Sequence, residues 1–292
     1  MAYKKVVISS HSKCSYKGGF LVVRQSDKTQ QIYLDDIDCL IFETQSAMVS
    51  AYLLSELARA GVAVLFCDEK HLPIADLIPR YGACDMNRRL EEQLSWTKPS
   101  KKALWKKVIV DKINHQADVL RYFEIENAES LYEMAREVCS GDTTGREAAA
   151  ARAYFPLLFG VGFTRDINCP INDALDYGYS LLLGVTAREI ASKGYLTQCG
   201  INHKSIFNQY NFASDLMEPF RPIVDYYVAE NRIVEFDKYY RANLVSLLDV
   251  ALPYRDGKYK VSSIISEYVT DCISCLNKEK KPDDIDEFKL FT

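Results

Sequence analysis

Apolar and polar positions change their rhythm once along this chain. Up to about residue 80 the apolar residues come in short runs separated by polar or glycine punctuation: KVVISS, GGFLVVRQ, QQIYL, IDCLIFE, VAVLFCD and LPIADLI. Short runs rich in Val, Ile, Leu and Tyr between turn residues predict strands. One helix interrupts them. Ser46 or Thr44 can cap it, Met48, Tyr52, Leu53 and Leu57 recur at near-helical spacing, and Gly61 is placed to end it. After Tyr81-Gly82 the apolar positions recur every three to four residues over long segments, at about 87–98, 102–125, 128–139, 143–159, 171–195, 206–230, 235–250 and 260–277. The pattern predicts an α+β protein: an N-terminal β-strand-rich, sandwich-like domain with one inserted helix over 1–82, then a C-terminal all-α domain over 83–292. No repeat of fixed period occurs, which speaks against a solenoid. The final stretch, KKPDDIDEFKLFT, reads as a mobile mixed-charge tail.

Composition narrows the class without naming a function. With 48% hydrophobic and 26% charged residues the chain is an ordinary globular protein. Its longest apolar stretches fall far short of the ~18 residues a membrane-spanning helix needs, and MAYKKVVISS has no apolar core of a secretion signal. A soluble, cytoplasmic protein with no membrane partner is expected. Nine scattered cysteines form no disulfide framework. Cys272 and Cys275 make a single C-x-x-C with no second pair or nearby histidine, so they read as small apolar residues on a helix. A net charge of -4 argues against indiscriminate coating of nucleic acid, although it says nothing of local patches.

One such patch lies between Arg88 and Lys112. Arg88, Arg89, Lys98, Lys101, Lys102, Lys106, Lys107 and Lys112 face only Glu91, Glu92 and Asp111, with Trp96 and Trp105 interleaved. The run reads either as a solvated helix surface or as a phosphate-contacting face, and the indoles either as core or as stacking platforms for bases. Among the four histidines, His11, His71 and His115 read as surface or internally satisfied residues. His203 follows Cys199-Gly200-Ile201-Asn202 in a loop-like stretch just before an acidic helix, where a hairpin-like return would bring imidazole and carboxylate together. Glu147 opens the alanine-rich helix GREAAAARAYFPLLFG, with Asp142, Thr143 or Thr144 available as its cap. A glutamate there is either a partner of the helix dipole or part of a site, and the run Ala148 to Ala151 admits close approach of another backbone or a ligand. In ASDLMEPFRPIVD, Asp215 and Glu218 are followed at once by Pro219 and Pro222. Those prolines lack the N–H groups that would bond the carbonyls of Asp215 and Glu218, so the helix bends or restarts there. Arg221, three residues after Glu218, can hold either that carboxylate or a phosphate.

These stretches together resemble the CRISPR-associated spacer integrase, the first Cas protein, in its type II form. HSKCSYKGG, GREAAAARAYFPLLFG, PINDALDYGYSLLL and above all GINHKSIFNQYNFASDLMEPFRPIVD carry the resemblance across nearly the whole chain. It implies an N-terminal β domain that dimerises and a helical catalytic domain with a divalent-metal site of Glu147, His203 and Glu218. Asp215 would stand behind those ligands or join them occasionally. Arg221, Lys101, Lys102, Lys106 and Lys107 are candidate DNA contacts. Two carboxylates and an imidazole suit Mg²⁺ or Mn²⁺. The implied reaction is attack of a DNA 3'-hydroxyl on a repeat-border phosphodiester. The implied partners are double-stranded DNA (prespacer and CRISPR repeat), a second copy of the chain, a small ferredoxin-like Cas protein in a heterohexamer, and other type II CRISPR proteins. Two rivals remain: a metal nuclease hydrolysing DNA or RNA with the same ligands, and a non-catalytic DNA-binding scaffold using the lysine-rich face.

Overall fold

The computed structural model describes residues 4–69, 71, 73–77 and 86–291. Its strand-rich part is two facing sheets. One has β1 (Lys4–Ile8), β5 (Ile37–Phe42) and β7 (Ala63–Cys67) in parallel, with β8 (Pro73–Leu77) antiparallel at the edge. The other has the order β4-β3-β2-β6, from β2 (Lys13–Lys17), β3 (Phe20–Arg24), β4 (Thr29–Tyr33) and the two-residue β6 (Met48–Val49). Leu21, Val23, Leu40, Phe42, Leu53 and Leu57 meet between them, the last two from α1 (Ala51–Arg59). That helix starts later than its apolar spacing suggested. Ser50 caps it, accepting from the Leu53 N–H at 3.2 Å, while Thr44 and Ser46 bond each other in the preceding turn and Met48 belongs to β6.

Every residue of β5 is buried, because the strand is covered on both faces. Leu40 and Phe42 face the second sheet, whereas Cys39 and Ile41 join the core of the helical part. The helices are α2 (Met86–Ser95), α3 (Lys98–Tyr122), α4 (Ala128–Arg136), α5 (Arg146–Phe159), α6 (Pro170–Ser192), α7 (Asn211–Leu216), α8 (Arg221–Glu230), α9 (Lys238–Ser246) and α10 (Val261–Leu276). α6 lies directly on the sheet: a side chain at Gly184 would put its Cβ 2.6 Å from Leu65. The expected boundary at 82/83 lies in 78–85, outside the described residues.

Two expectations are corrected. The second part is not wholly helical, since β9 (Ala251–Tyr254) and β10 (Gly257–Lys260) form a hairpin, four residues a side, too short for a period to register. Nor is the last segment a loose tail. Ile285 and Phe288 are buried among the helices, Lys289 donates its N–H to the Pro253 carbonyl at 3.0 Å, and Phe288 bridges to Tyr254. These two apolar residues fasten the segment, while the neighbouring Asp286 and Glu287 stay exposed. Among the described residues no helix is long and apolar enough to cross a membrane, and the eight cysteines there are free. Cys272 and Cys275 are buried on α10.

Candidate active site

Glu147 is set by the cap of α5. Asp142 accepts the N–H groups of Arg146 and Glu147 at 2.8 and 3.0 Å, the work of a helix N-cap. Gly145, at φ +66, makes the turn that lets Asp142 reach them. Thr143 and Thr144 contact the Cys139 thiol instead.

Glu218 is set by the prolines. α7 ends at Leu216, one 3₁₀ turn spans Glu218–Phe220, and α8 begins at Arg221 with Pro222 in its first turn. The chain restarts where the missing N–H groups require it. The carbonyl of Pro219 accepts from His115 Nδ1 at 2.9 Å, and His115 Nε2 lies 3.0 Å from the Phe288 carbonyl. Burial pushes the His115 pKa down against those two carbonyls. Phe220 stacks on Phe288, so the fastened last segment backs the turn that carries Glu218.

Asp215 faces the loop before α7. Its Oδ2 accepts the N–H groups of Ile201 and Asn202 at 2.6 and 3.0 Å, and its Oδ1 accepts the His203 N–H at 3.0 Å and meets His203 Nδ1 at 2.6 Å. Asp215 is wholly buried, and one carboxylate thus closes a three-residue loop and orients the imidazole at its end. Gly200 makes the closure possible: a Cβ there would lie 2.5 Å from the His203 carbonyl and 2.8 Å from Asp215 Oδ2. With Nδ1 committed to Asp215, Nε2 of His203 is left for a ligand. The hydrogen bond that His203 donates to Asp215 raises the His203 pKa, burial opposes it, and the charges of Asp215, Glu218 and Glu147 add to the rise. The edge of Trp105 packs at about right angles to the imidazole, with ring centres 5.9 Å apart.

Between the two glutamates stands a residue that the sequence reading counted only as part of the basic run. The Lys112 ammonium, on α3, lies 2.8 Å from Glu147 Oε1 and 2.6 Å from Glu218 Oε2. Burial alone would push its pKa down, but Glu218 and Glu147 outweigh burial and hold it above the ordinary lysine value. Glu218 is 2% exposed. Burial would raise its pKa, yet Arg221 and Lys112 hold the carboxyl below the usual range. Arg221 Nη2 is 3.1 Å from Glu218 Oε1, and its guanidinium lies over the Tyr179 ring at 4.7 Å.

Among the described residues no group of three or more His, Cys, Asp and Glu side chains is gathered tightly enough to hold a metal ion. The donor set nevertheless fits one. Glu147 and Glu218 already converge on a single positive charge, and the buried Oε2 of Glu218 has no hydrogen bond of good geometry even to that ammonium. The imidazole beside them feels both charges and presents a free nitrogen. Asp215, by contrast, has both oxygens engaged.

The basic run divides. Lys102 and Lys106 are exposed and Lys101 half-buried. Lys107 is taken out of any DNA-contacting face: it is buried and its ammonium sits 2.7 Å from Asp111, with Glu287 alongside. Both indoles are core, Trp96 stacked on Tyr195 and donating to Asn277 at 2.8 Å. Lys112 had a signal in the sequence. It falls seven residues after Trp105, hence on the same face of α3 as Trp105, Val108 and Ile109, where an unpaired lysine is too costly to bury.

Known proteins resemble this chain in sequence and in fold. A CRISPR-associated endonuclease Cas1 of Neisseria meningitidis is 37% identical over 228 residues, 77% of this chain and 74% of the relative. A casposase solved bound to integration product superposes with a TM-score of 0.79 at 21% identity, covering 95% of this chain and 92% of its own. A chain of a Cas6-RT-Cas1–Cas2 complex superposes at 0.75 with 16% identity, covering 95% of this chain and 35% of that one. The family model described as CRISPR associated protein Cas1 matches residues 6–243, and with most of its length so matched, the chain belongs to the Cas1 family.

Proposed function

We propose that this chain is a metal-dependent DNA integrase and endonuclease of CRISPR adaptation, which inserts spacer DNA into the CRISPR array. The observation that carries the proposal is the convergence of Glu147 and Glu218, from helices far apart in sequence, on one cation position beside an oriented imidazole. Glu147, Glu218 and His203 Nε2 would hold the ion, and Mg²⁺ or Mn²⁺ bound there would supply polarisation of the phosphate and a lowered pKa for the attacking hydroxyl. Asp215 fixes the tautomer and direction of His203 without itself being a ligand. Arg221 keeps Glu218 ionised and aimed.

The step is a transesterification. The oxygen of a DNA 3'-hydroxyl attacks phosphorus at the repeat border, the bond to the 3'-oxygen of the cut strand breaks, and the attacking hydroxyl's proton ends on the leaving 3'-hydroxyl. One phosphodiester forms as one is lost, so neither an energy source nor a covalent enzyme intermediate is required. The casposase likeness favours transfer over hydrolysis, since that protein was captured with an integration product. The chain works as a homodimer with a small ferredoxin-like Cas partner, a reading supported by the neighbour seen in a Cas1–Cas2 complex. Exposed Lys102 and Lys106, with Lys101, supply phosphate contacts. Plasmid integration with purified partner and a labelled 3'-hydroxyl donor tests this. Joined product that appears only with Mg²⁺ or Mn²⁺ is expected; shortened donor without joined product would make the chain a hydrolytic nuclease.

A further inference from the structure

Lys112 is hard to explain as a plain structural lysine. It is 7% exposed, it issues from the middle of a long helix on the buried face that Val108 and Ile109 share, and its ammonium bridges the two carboxylates assigned above to a divalent ion. Glu218 Oε2 makes no properly directed hydrogen bond to it, so the contact is one of charge rather than of fitted geometry. Resting on the reading of Glu147, His203 and Glu218 as the metal site, we propose that Lys112 is the site's resident cation: it holds the two carboxylates together until a divalent ion arrives, and is displaced by that ion.

The physical argument has two parts. A buried carboxylate, Glu218, and a partly exposed one, Glu147, facing each other without a countercharge repel and must protonate or spread; Lys112 opposes both, so the ligands are gathered before the ion binds. An ammonium and a divalent ion cannot both stand between the same oxygens, and their charges repel at such a distance. Loading therefore requires the four-carbon stem of Lys112 to swing away, which lowers the apparent affinity for the ion by competition. A rigid hydrogen-bonded donor would resist that exchange, and a charge contact on a flexible stem allows it.

The test is metal binding rather than turnover. Mn²⁺ affinity of the full chain is measured by the loss of the free-ion electron paramagnetic resonance signal, and melting is followed in chelator and in Mn²⁺. The wild type is compared with Lys112→Met, Lys112→Gln and Glu218→Gln. Removing the competing charge tightens Mn²⁺ binding by about tenfold or more, while lowering the melting temperature in chelator and enlarging its rise on adding Mn²⁺. Lys112→Gln keeps N–H donors toward both carboxylates and carries the comparison if Lys112→Met does not fold. Folded Lys112 variants that bind Mn²⁺ no more tightly than the wild type overturn the proposal, provided Glu218→Gln abolishes binding. Wild-type binding that Glu218→Gln leaves unchanged sinks the metal site itself, and the inference with it.

Discussion

The two halves of the candidate site are held in opposite ways. On one side Asp215 ties down residues 201–203 through three backbone N–H groups and the His203 ring, with Gly200 allowing the close approach. On the other, Glu147 and Glu218 are held by the long side chains of Lys112 and Arg221. Backbone hydrogen bonds fix the imidazole wherever the ions go. Charge contacts on flexible stems leave the carboxylates able to change partners. A site that must load an ion and then a DNA phosphate gains from having one half rigid and the other exchangeable.

The strongest way to break that comparison is at the ligands themselves. Glu147→Gln, Glu218→Gln and His203→Ala should each reduce strand transfer by about 10²-fold or more, with circular dichroism unchanged because no core volume is removed. A variant retaining full metal-dependent transfer takes its residue out of the site. Asp215→Ala should separate the halves next: it orphans three backbone donors, so chemical denaturation should show a loss of about 3–5 kcal/mol. Glu147→Ala, on a partly exposed carboxylate, should cost far less. Equal losses would erase the distinction. Gly200→Ala should cost about 1–3 kcal/mol by overpacking and reduce transfer through displacement of His203, with Mn²⁺ affinity falling alongside it.

A pH series probes a separate buried charge cluster on the helix that carries Lys112. Burial pushes Asp111 up to about 7, against the attraction of Lys107 beside it, and Glu287 from the last segment joins the cluster. Because the folded pKa is raised above the ordinary ~3.9 of an unfolded aspartate, the folded state holds a proton that the unfolded state has released. The contribution to stability is complete below about pH 4 and declines as pH rises toward 7. Denaturant midpoints measured across that window should fall with pH, and Asp111→Asn should flatten the slope; an unchanged slope removes Asp111 as its source. The smallest expected effect is at the surface. Lys102→Ala and Lys106→Ala should each lower the salt slope of DNA binding by about one, and should leave metal affinity untouched.

The architecture was largely legible in the sequence, since short apolar runs between turn residues gave way to a period of 3.6 near residue 80. What escaped was short or compensated. The hairpin over 251–260 has four-residue strands, and the last segment hides two core residues, Ile285 and Phe288, among charges. At the site, the break at Pro219 and Pro222 followed from missing N–H groups, and the return that joins His203 to Asp215 followed from the loop between them. Lys112 was absorbed into a count of positive charges: its place on the buried face of α3 signals that it needs partners, but those lie at 147 and 218, and no local pattern names a contact across that separation. Lys107 was misassigned although one partner, Asp111, lies a single helical turn on; its second partner, Glu287, is almost at the other end of the chain.

Strand β5 is a party wall. With Leu40 and Phe42 in one core and Cys39 and Ile41 in the other, each of its residues answers to neighbours on a different side, and neither part of the protein owns it. Severing the chain within 78–85 would therefore yield a sheet with an oily back and a helical piece missing its floor. The two fragments should rejoin when mixed and clump when kept apart.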